Sequence, residues 1–396
     1  MRHITATLRS KEHRVFSLLY VSILLLSFHY VFVVYINSSF IASITSERVV
    51  GFFYMIGALL NIIFLLTVPA VLRKFGNWKT ALSLILLEAT CLCILALTRN
   101  PYIALPFFVL HMATAPLILF TLDIFLTTSI KEQNHTGEIR GVFLTLNNLA
   151  YIFGPIIVGY FLVQNEFSKM YFLSFLILIP LFYLIHGQFR NFKDAHYPEV
   201  NIKKTLTLYR EHTNLKNIFL ANFVLQFFYV FMVIYMPIYL HKYIGFSWGQ
   251  IGEMFSIILL PFIFLQIPGG YLADKIKNGE RDILLFGFAI MGAATFLLSQ
   301  ISDANIITWT IVLFSTRIGA SLVEAMVESY FFKHVQGKDD GAISFYRAAS
   351  PVAYIVSPII IGLSLTYLNH KLSFALLGVL IFYFGLRYAR RIEIVK

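Results

Sequence analysis

Apolar stretches of 17 to 27 residues recur along the whole chain, separated by short polar or charged breaks. Their length decides the class, because about 20 apolar residues in a helix cross the ~30 Å hydrocarbon core of a bilayer. Twelve stretches are read, near 15–36, 49–71, 80–98, 103–128, 141–163 and 170–187, then 216–240, 249–272, 283–300, 305–331, 342–367 and 372–388. Composition agrees: 58% of the 396 residues are hydrophobic and 13% charged, and the mean hydropathy is +0.76. A soluble domain carries about 25% charged residues, so one large core does not account for this chain. So apolar a chain is not a disordered one either. The spans are expected to be helices, since bilayer interior requires each backbone amide to be satisfied within its own segment. The alternating ten-residue segments of an outer-membrane barrel do not occur. Residues 15–36 are expected to be a retained first span, because no small-residue cleavage site follows them.

Basic residues orient the spans. With the N-terminus inside, 24 of the 31 Lys and Arg fall in inner segments, 5 in outer ones, and Arg317 and Arg347 within spans. The positive-inside rule then predicts both termini cytoplasmic in a multi-pass protein of the plasma or inner membrane. The formal net charge of +11 is assigned to the anionic lipid side, and no nucleic-acid partner is expected. Cys91 and Cys93 share one apolar run and imply no disulfide framework. No phosphate-binding loop, dinucleotide fingerprint or metal-ligand spacing is present, so no cofactor or metal is expected. The longest loop, 188–215, carries Lys203, Lys204, Arg210 and Glu211 among apolar residues, a pattern that suits a short interfacial helix. It divides the chain into an N-terminal six-helix bundle (1–187) and a C-terminal one (216–396).

The halves repeat. Residues 150–159 read AYIFGPIIVG and 353–362 read AYIVSPIIIG, with seven of ten positions identical. Gly137 and Ile139 echo Gly341 and Ile343, and Asp123 matches Glu328 205 residues later. Three features in one order at nearly one spacing indicate duplication. Residues 270–275, GYLADK, follow span eight, and their degenerate counterpart is PAVLRKFG at 69–76, with Pro69 and Arg73 at the key Gly and Asp positions. Twelve spans in two similar halves, inner termini, a central loop and G-x-L-A-D-K after span eight resemble the major facilitator superfamily over essentially the whole chain. The resemblance implies an all-α membrane protein of two pseudo-symmetric six-helix bundles. It also implies a monomeric solute transporter that rocks the bundles around a central site. The Gly154-Pro155 pair with Gly159 resembles the superfamily's span-five antiporter motif, although a shared helix bend explains its copy in span eleven equally well.

Ionisable residues inside spans are functional candidates, because charge in the bilayer is costly. Arg317 and Glu324 lie seven residues apart in span ten, two turns and about 10 Å along one face. They read either as a substrate clamp with a proton-coupling carboxyl at Glu324, or as a buried ion pair that fixes packing. The resemblance makes spans one, four, seven and ten cavity-lining, so His29, Tyr30, His111, Gln226 and Tyr229 join Arg317 and Glu324 as substrate-binding candidates. His111 is the second proton-coupling candidate, since histidine titrates near neutral pH. Asp123, Glu328, Arg347, Lys74, Asp274 and Lys275 are read as gate residues near the inner ends. Glu88, on a span that the resemblance makes usually peripheral and where it either faces another helix or snorkels, and Glu253, expected to be interfacial, are set aside. The expected activity is secondary transport of a small organic solute, by symport or antiport and coupled to protons. An integral-membrane enzyme and a non-transporting sensor or scaffold are the alternatives. The enzyme reading lacks a nucleophile or metal constellation, so none is expected.

Overall fold

The computed structural model describes residues 2–130, 136–162, 165–194, 197, 207, 209–276, 278–334 and 345–392, all of it helices and connections. Helix α1 spans Arg2–Val34 and α2 spans Asn37–Ile44; the break at Tyr35 and Ile36 divides the first crossing near its far end. Helix α3, Glu47–Leu97, has 51 residues and would be about 77 Å long at 1.5 Å per residue, far beyond one bilayer core. Gly76 resolves this by leaving helical geometry at φ 80 and ψ 162, a conformation open to glycine and strained for other residues. Spans two and three are therefore the halves of α3 on either side of Gly76.

The chain continues through α4 (Pro101–Ser129), α5 (Thr136–Phe161), α6 (Phe167–Gln188) and α7 (Thr213–Ile238). A π-helical turn, Tyr239–Ile244, follows Pro237 and ends at Gly245 with φ 89. The eighth crossing is broken into α8 (Trp248–Ile258), α9 (Pro261–Phe264) and α10 (Gln266–Lys275), started by a reciprocal cap between Ser247 and Gln250. Helices α11 (Gly279–Leu298), α12 (Ile306–His334), α13 (Ala349–Tyr367) and α14 (His370–Arg390) complete the order. Among the described residues, ten helical stretches are long and apolar enough to cross a membrane. Dividing α3 at Gly76 and adding α5 brings the crossings to twelve. Of the central loop, residues 209–211 are helical, and Lys203 and Lys204 lie outside the described residues.

The helices form two compact units, residues 1–45 with 56–199, and 46–55 with 200–396. Within the first, Gly154 lets α5 approach α1 so closely that a Cβ there would lie 2.3 Å from Val31 Cγ1. The equivalent position in the second unit is Ser357, whose hydroxyl donates to the Phe227 carbonyl of α7 at 3.5 Å. The repeat is thus a repeat of packing: α5 on α1, and α13 on α7. A further pair shares the 205-residue spacing of Asp123 and Glu328. Asn100 caps α4 by accepting from the Tyr102 amide at 3.0 Å, and Asn305 caps α12 by accepting from the Ile307 amide at 2.9 Å. The echo of Gly341 and Ile343 lies outside the described residues.

Candidate functional site

The first unit holds a buried polar network built on Glu88. The second half of α3 is apolar on its outer side, with Leu86 61% exposed, yet Glu88 two residues on is fully buried. Alternate faces of one helix explain both. His111 and Thr114, three residues apart on α4, meet the two carboxylate oxygens: His111 Nδ1 lies 2.5 Å from Oε1, and the Thr114 hydroxyl donates to Oε2 at 2.5 Å. His29 of α1 brings Nε2 to 3.3 Å from Oε1. Tyr171 and Ser174, also three apart, serve the same network from α6. Ser174 Oγ lies 2.7 Å from His29 Nδ1 and donates to the His29 carbonyl at 2.8 Å. The Tyr171 hydroxyl donates to Asn37 Oδ1 at 2.7 Å, and Asn37 Nδ2 lies 3.2 Å from His111 Nε2. The break between α1 and α2 is what turns Asn37 inward.

This corrects the treatment of Glu88. Span three is not peripheral at that position, and the carboxylate set aside in the sequence joins two candidate histidines that come from different helices. Asn37, Thr114, Tyr171 and Ser174 were not identified either, though the polar pairs at 111/114 and 171/174 mark an inward stripe on α4 and α6. Tyr30, adjacent to His29, turns instead to the Tyr151 ring of α5, with centroids 6.3 Å apart.

The second unit brings α7 and α12 together. The Tyr229 hydroxyl donates to Glu324 Oε2 at 2.5 Å, so two candidates from different spans share a bond. Arg317 is 6% exposed and its guanidinium lies 4.9 Å from the centre of the Phe228 ring, next to Tyr229 in sequence. Gln226 donates to Asn222 Oδ1 at 3.4 Å one turn earlier on α7. A polar stripe on α7 therefore faces an ionisable stripe on α12.

The candidate gate residues are dispersed. Lys74 is exposed and lies 5.2 Å from the centre of its neighbour Phe75. Lys275 lies 4.2 Å from the Tyr271 ring centre, and the Asp274 side chain is outside the described residues. Glu328 and Arg347 are exposed, while Asp123 is half-buried on α4. Two other ties occupy the loops that join spans two to three and eight to nine. At the first, Asn77 donates its side-chain amide to the Thr121 carbonyl at 3.0 Å, and Trp78 donates to the Ile185 carbonyl at 3.1 Å. Asp194 accepts the Asn77 backbone amide at 2.7 Å and the Tyr197 hydroxyl at 2.6 Å. Burial and the Asp194 carboxylate push the Tyr197 phenol above its ordinary range, so it remains a donor. At the second, Glu280 accepts from Lys333 at 2.8 Å and Ser329 at 2.9 Å. Arg73 removed an acid from the first loop's own sequence, and Asp194 returns one from the segment after α6.

Residues 218–393 match the model of the Major Facilitator Superfamily. No curated protein matches the sequence. Among solved structures, the chain is similar to a peptide transporter, POT, in complex with sulfate, with TM-score 0.77 and 13% identity over 96% of this chain and 95% of that one. It is similar to the nucleoside transporter NupG with TM-score 0.71 and 10% identity over 95% and 98% of the two chains. The second half of the sequence thus matches the superfamily model, and the whole chain shares the fold of these transporter structures.

Proposed function

We propose that the chain is a secondary transporter that moves a small organic solute by alternating access, coupled to protons. The observation that carries this reading is the pairing of Tyr229 with Glu324 beside buried Arg317, on helices equivalent to α1 and α4 of the first unit. Ionisable side chains are costly inside a bilayer and concentrate where a solute or ion is handled. Arg317 supplies a cation for a carboxylate, phosphate or hydroxyl group of the solute. Glu324 supplies the carboxyl that exchanges a proton, and His29, Tyr30, His111 and Gln226 complete the polar lining. Asp274, Lys275, Asp123, Glu328, Arg347 and Lys74 act at the gate. The excess of Lys and Arg on one side supports a cell-membrane protein with both termini cytoplasmic, and the likeness to the superfamily supports a monomer.

The similar structures carry peptide and nucleoside transporters, so both solute classes enter the test beside sugars, amino acids and organic acids. Purified protein is screened by thermal shift against each class at two pH values. A solute that raises Tm in the wild type and not in Arg317→Ala identifies substrate class and site together. A hit that Arg317→Ala binds unchanged would remove Arg317 from the site.

A further inference from the structure

Proton placement around Glu88 leaves one position open. Ser174 has one hydroxyl hydrogen; with it donated to the His29 carbonyl, Oγ accepts from His29 Nδ1–H. The ring's other nitrogen, Nε2, then lies 3.3 Å from Glu88 Oε1 and makes no aligned hydrogen bond. On the opposite side the hydrogens are assigned. Tyr171 donates to Asn37 Oδ1, which directs the Asn37 amide hydrogens to His111 Nε2. His111 therefore carries its hydrogen on Nδ1 and donates it to Glu88 Oε1, while Thr114 donates to Oε2. With these hydrogens alone, His29 Nε2 carries no hydrogen and lies 3.3 Å from a carboxylate oxygen.

We propose that the junction of Glu88 Oε1 and His29 Nε2 is a proton-binding site in the first unit. One proton there turns the repulsive contact into a hydrogen bond, written as a protonated Glu88 donating to Nε2 or an imidazolium donating to the carboxylate. The two forms belong to one coupled site. The proton also neutralises a network that otherwise holds one negative charge among neutral partners, with Glu88 and His29 both 0% exposed. The other titratable groups packed round it are Tyr171 on α6 and the buried Cys91, one turn along α3. Helix α2 brings only Asn37, and Tyr151 of α5 turns to Tyr30. Because the site is dry, its proton exchanges only when α1 and α3 part. This seals a bound proton while the unit stays packed, and its use in coupling rests on the transport reading above.

The test is nitrogen NMR of the full chain, labelled at histidine and held in lipid nanodiscs, through a pH titration. The wild type is expected to show a proton on, or shared with, His29 Nε2 at neutral pH that leaves as pH rises, with His111 remaining the Nδ1–H tautomer. Glu88→Gln should lower His29 Nε2 proton occupancy at neutral pH about tenfold or more, the scale of losing an opposite charge at this range. A wild-type His29 that carries hydrogen on Nδ1 alone at every pH overturns the proposal, and this outcome needs no variant to fold. So does a Glu88→Gln titration identical to the wild type. In proteoliposomes with a trapped pH-sensitive dye, each solute from the thermal-shift screen should drive proton movement, inward for symport and outward for antiport, in the wild type and not in Glu88→Gln. Undiminished proton movement in Glu88→Gln overturns the coupling role. A wild type that moves no solute at all overturns the transport reading instead, and leaves the NMR result to decide the site.

Discussion

Asp194 caps a helix that begins 117 residues before it: its carboxylate accepts the Asn77 amide at 2.7 Å, where the second half of α3 starts after Gly76. Four amides at a helix start have no partner within the helix, and the local dipole favours an anion. A Cβ at position 76 would lie 2.5 Å from Asp194 Oδ2, so the glycine also makes room for the cap. Asp194→Ala is expected to destabilise the first unit by about 0.5–2 kcal/mol, and Asp194→Asn by less because its amide oxygen still accepts. Thermal unfolding of the detergent-purified variants measures both. Equal Tm for Asp194→Ala and wild type would show that the cap contributes nothing.

The contact of Gly154 with Val31 predicts a steric effect with a specific remedy. A Cβ at 154 would sit 2.3 Å from Val31 Cγ1 and 3.0 Å from its Cβ. Gly154→Ala should therefore overpack the α1–α5 seam and cost about 1–3 kcal/mol. Trimming the partner should restore it, so Gly154→Ala with Val31→Ala is expected to melt above Gly154→Ala alone. No recovery in the double variant would point to the backbone at 154 rather than to the seam.

How much of this was legible before the structure depends on which interaction set each feature. The spans were legible because the bilayer imposes one length on every crossing. The repeat was legible because Pro155 and Pro358 sit at equivalent positions inside equivalent helices and their neighbours are alike. Arg317, Glu324 and Tyr229 stood out as costly groups in apolar helices, and Glu324 with Tyr229 proved to share a bond. Whether Glu88 faces another helix or snorkels was not legible, because hydropathy reports that a residue lies within a span and not which way it faces. Its neighbour Leu86 looks outward, and only the inward polar stripes on α4 and α6 reveal the difference. Asp194 was illegible for another reason. It sits in a charged loop without periodicity, and its role arises from a return of the chain that no local pattern encodes.

The tie between Lys333 and Glu280 should matter little to stability. The lysine side chain is 50% exposed and the glutamate 16% exposed. An ion pair open to water contributes about 0–1 kcal/mol, and Lys333→Ala should change Tm by no more than that implies. Glu280 also accepts from Ser329 and lies in the first turn of α11, so Glu280→Ala is expected to cost more than Lys333→Ala. Melting curves at low and high salt separate the two, because the ion pair alone is screened. A larger loss from Lys333→Ala would overturn this ranking.

The bond between Tyr229 and Glu324 gives the strongest mutational expectation in the second unit. Tyr229→Phe keeps the ring, which lies 6.2 Å from the centre of Phe262, and removes only the hydroxyl that serves Glu324 Oε2. Leaving a half-buried acceptor without its donor costs up to about 1–3 kcal/mol, more than the bond adds when both partners are present. Glu324→Gln keeps an oxygen that accepts from Tyr229 and should cost less than Tyr229→Phe. Residues in contact are not additive, so a double-mutant cycle should return a coupling of about 0.5–3 kcal/mol. The cycle is measured by thermal unfolding without ligand, which keeps it independent of any solute. A coupling of zero would mean that the two side chains do not meet in the protein as it folds in lipid.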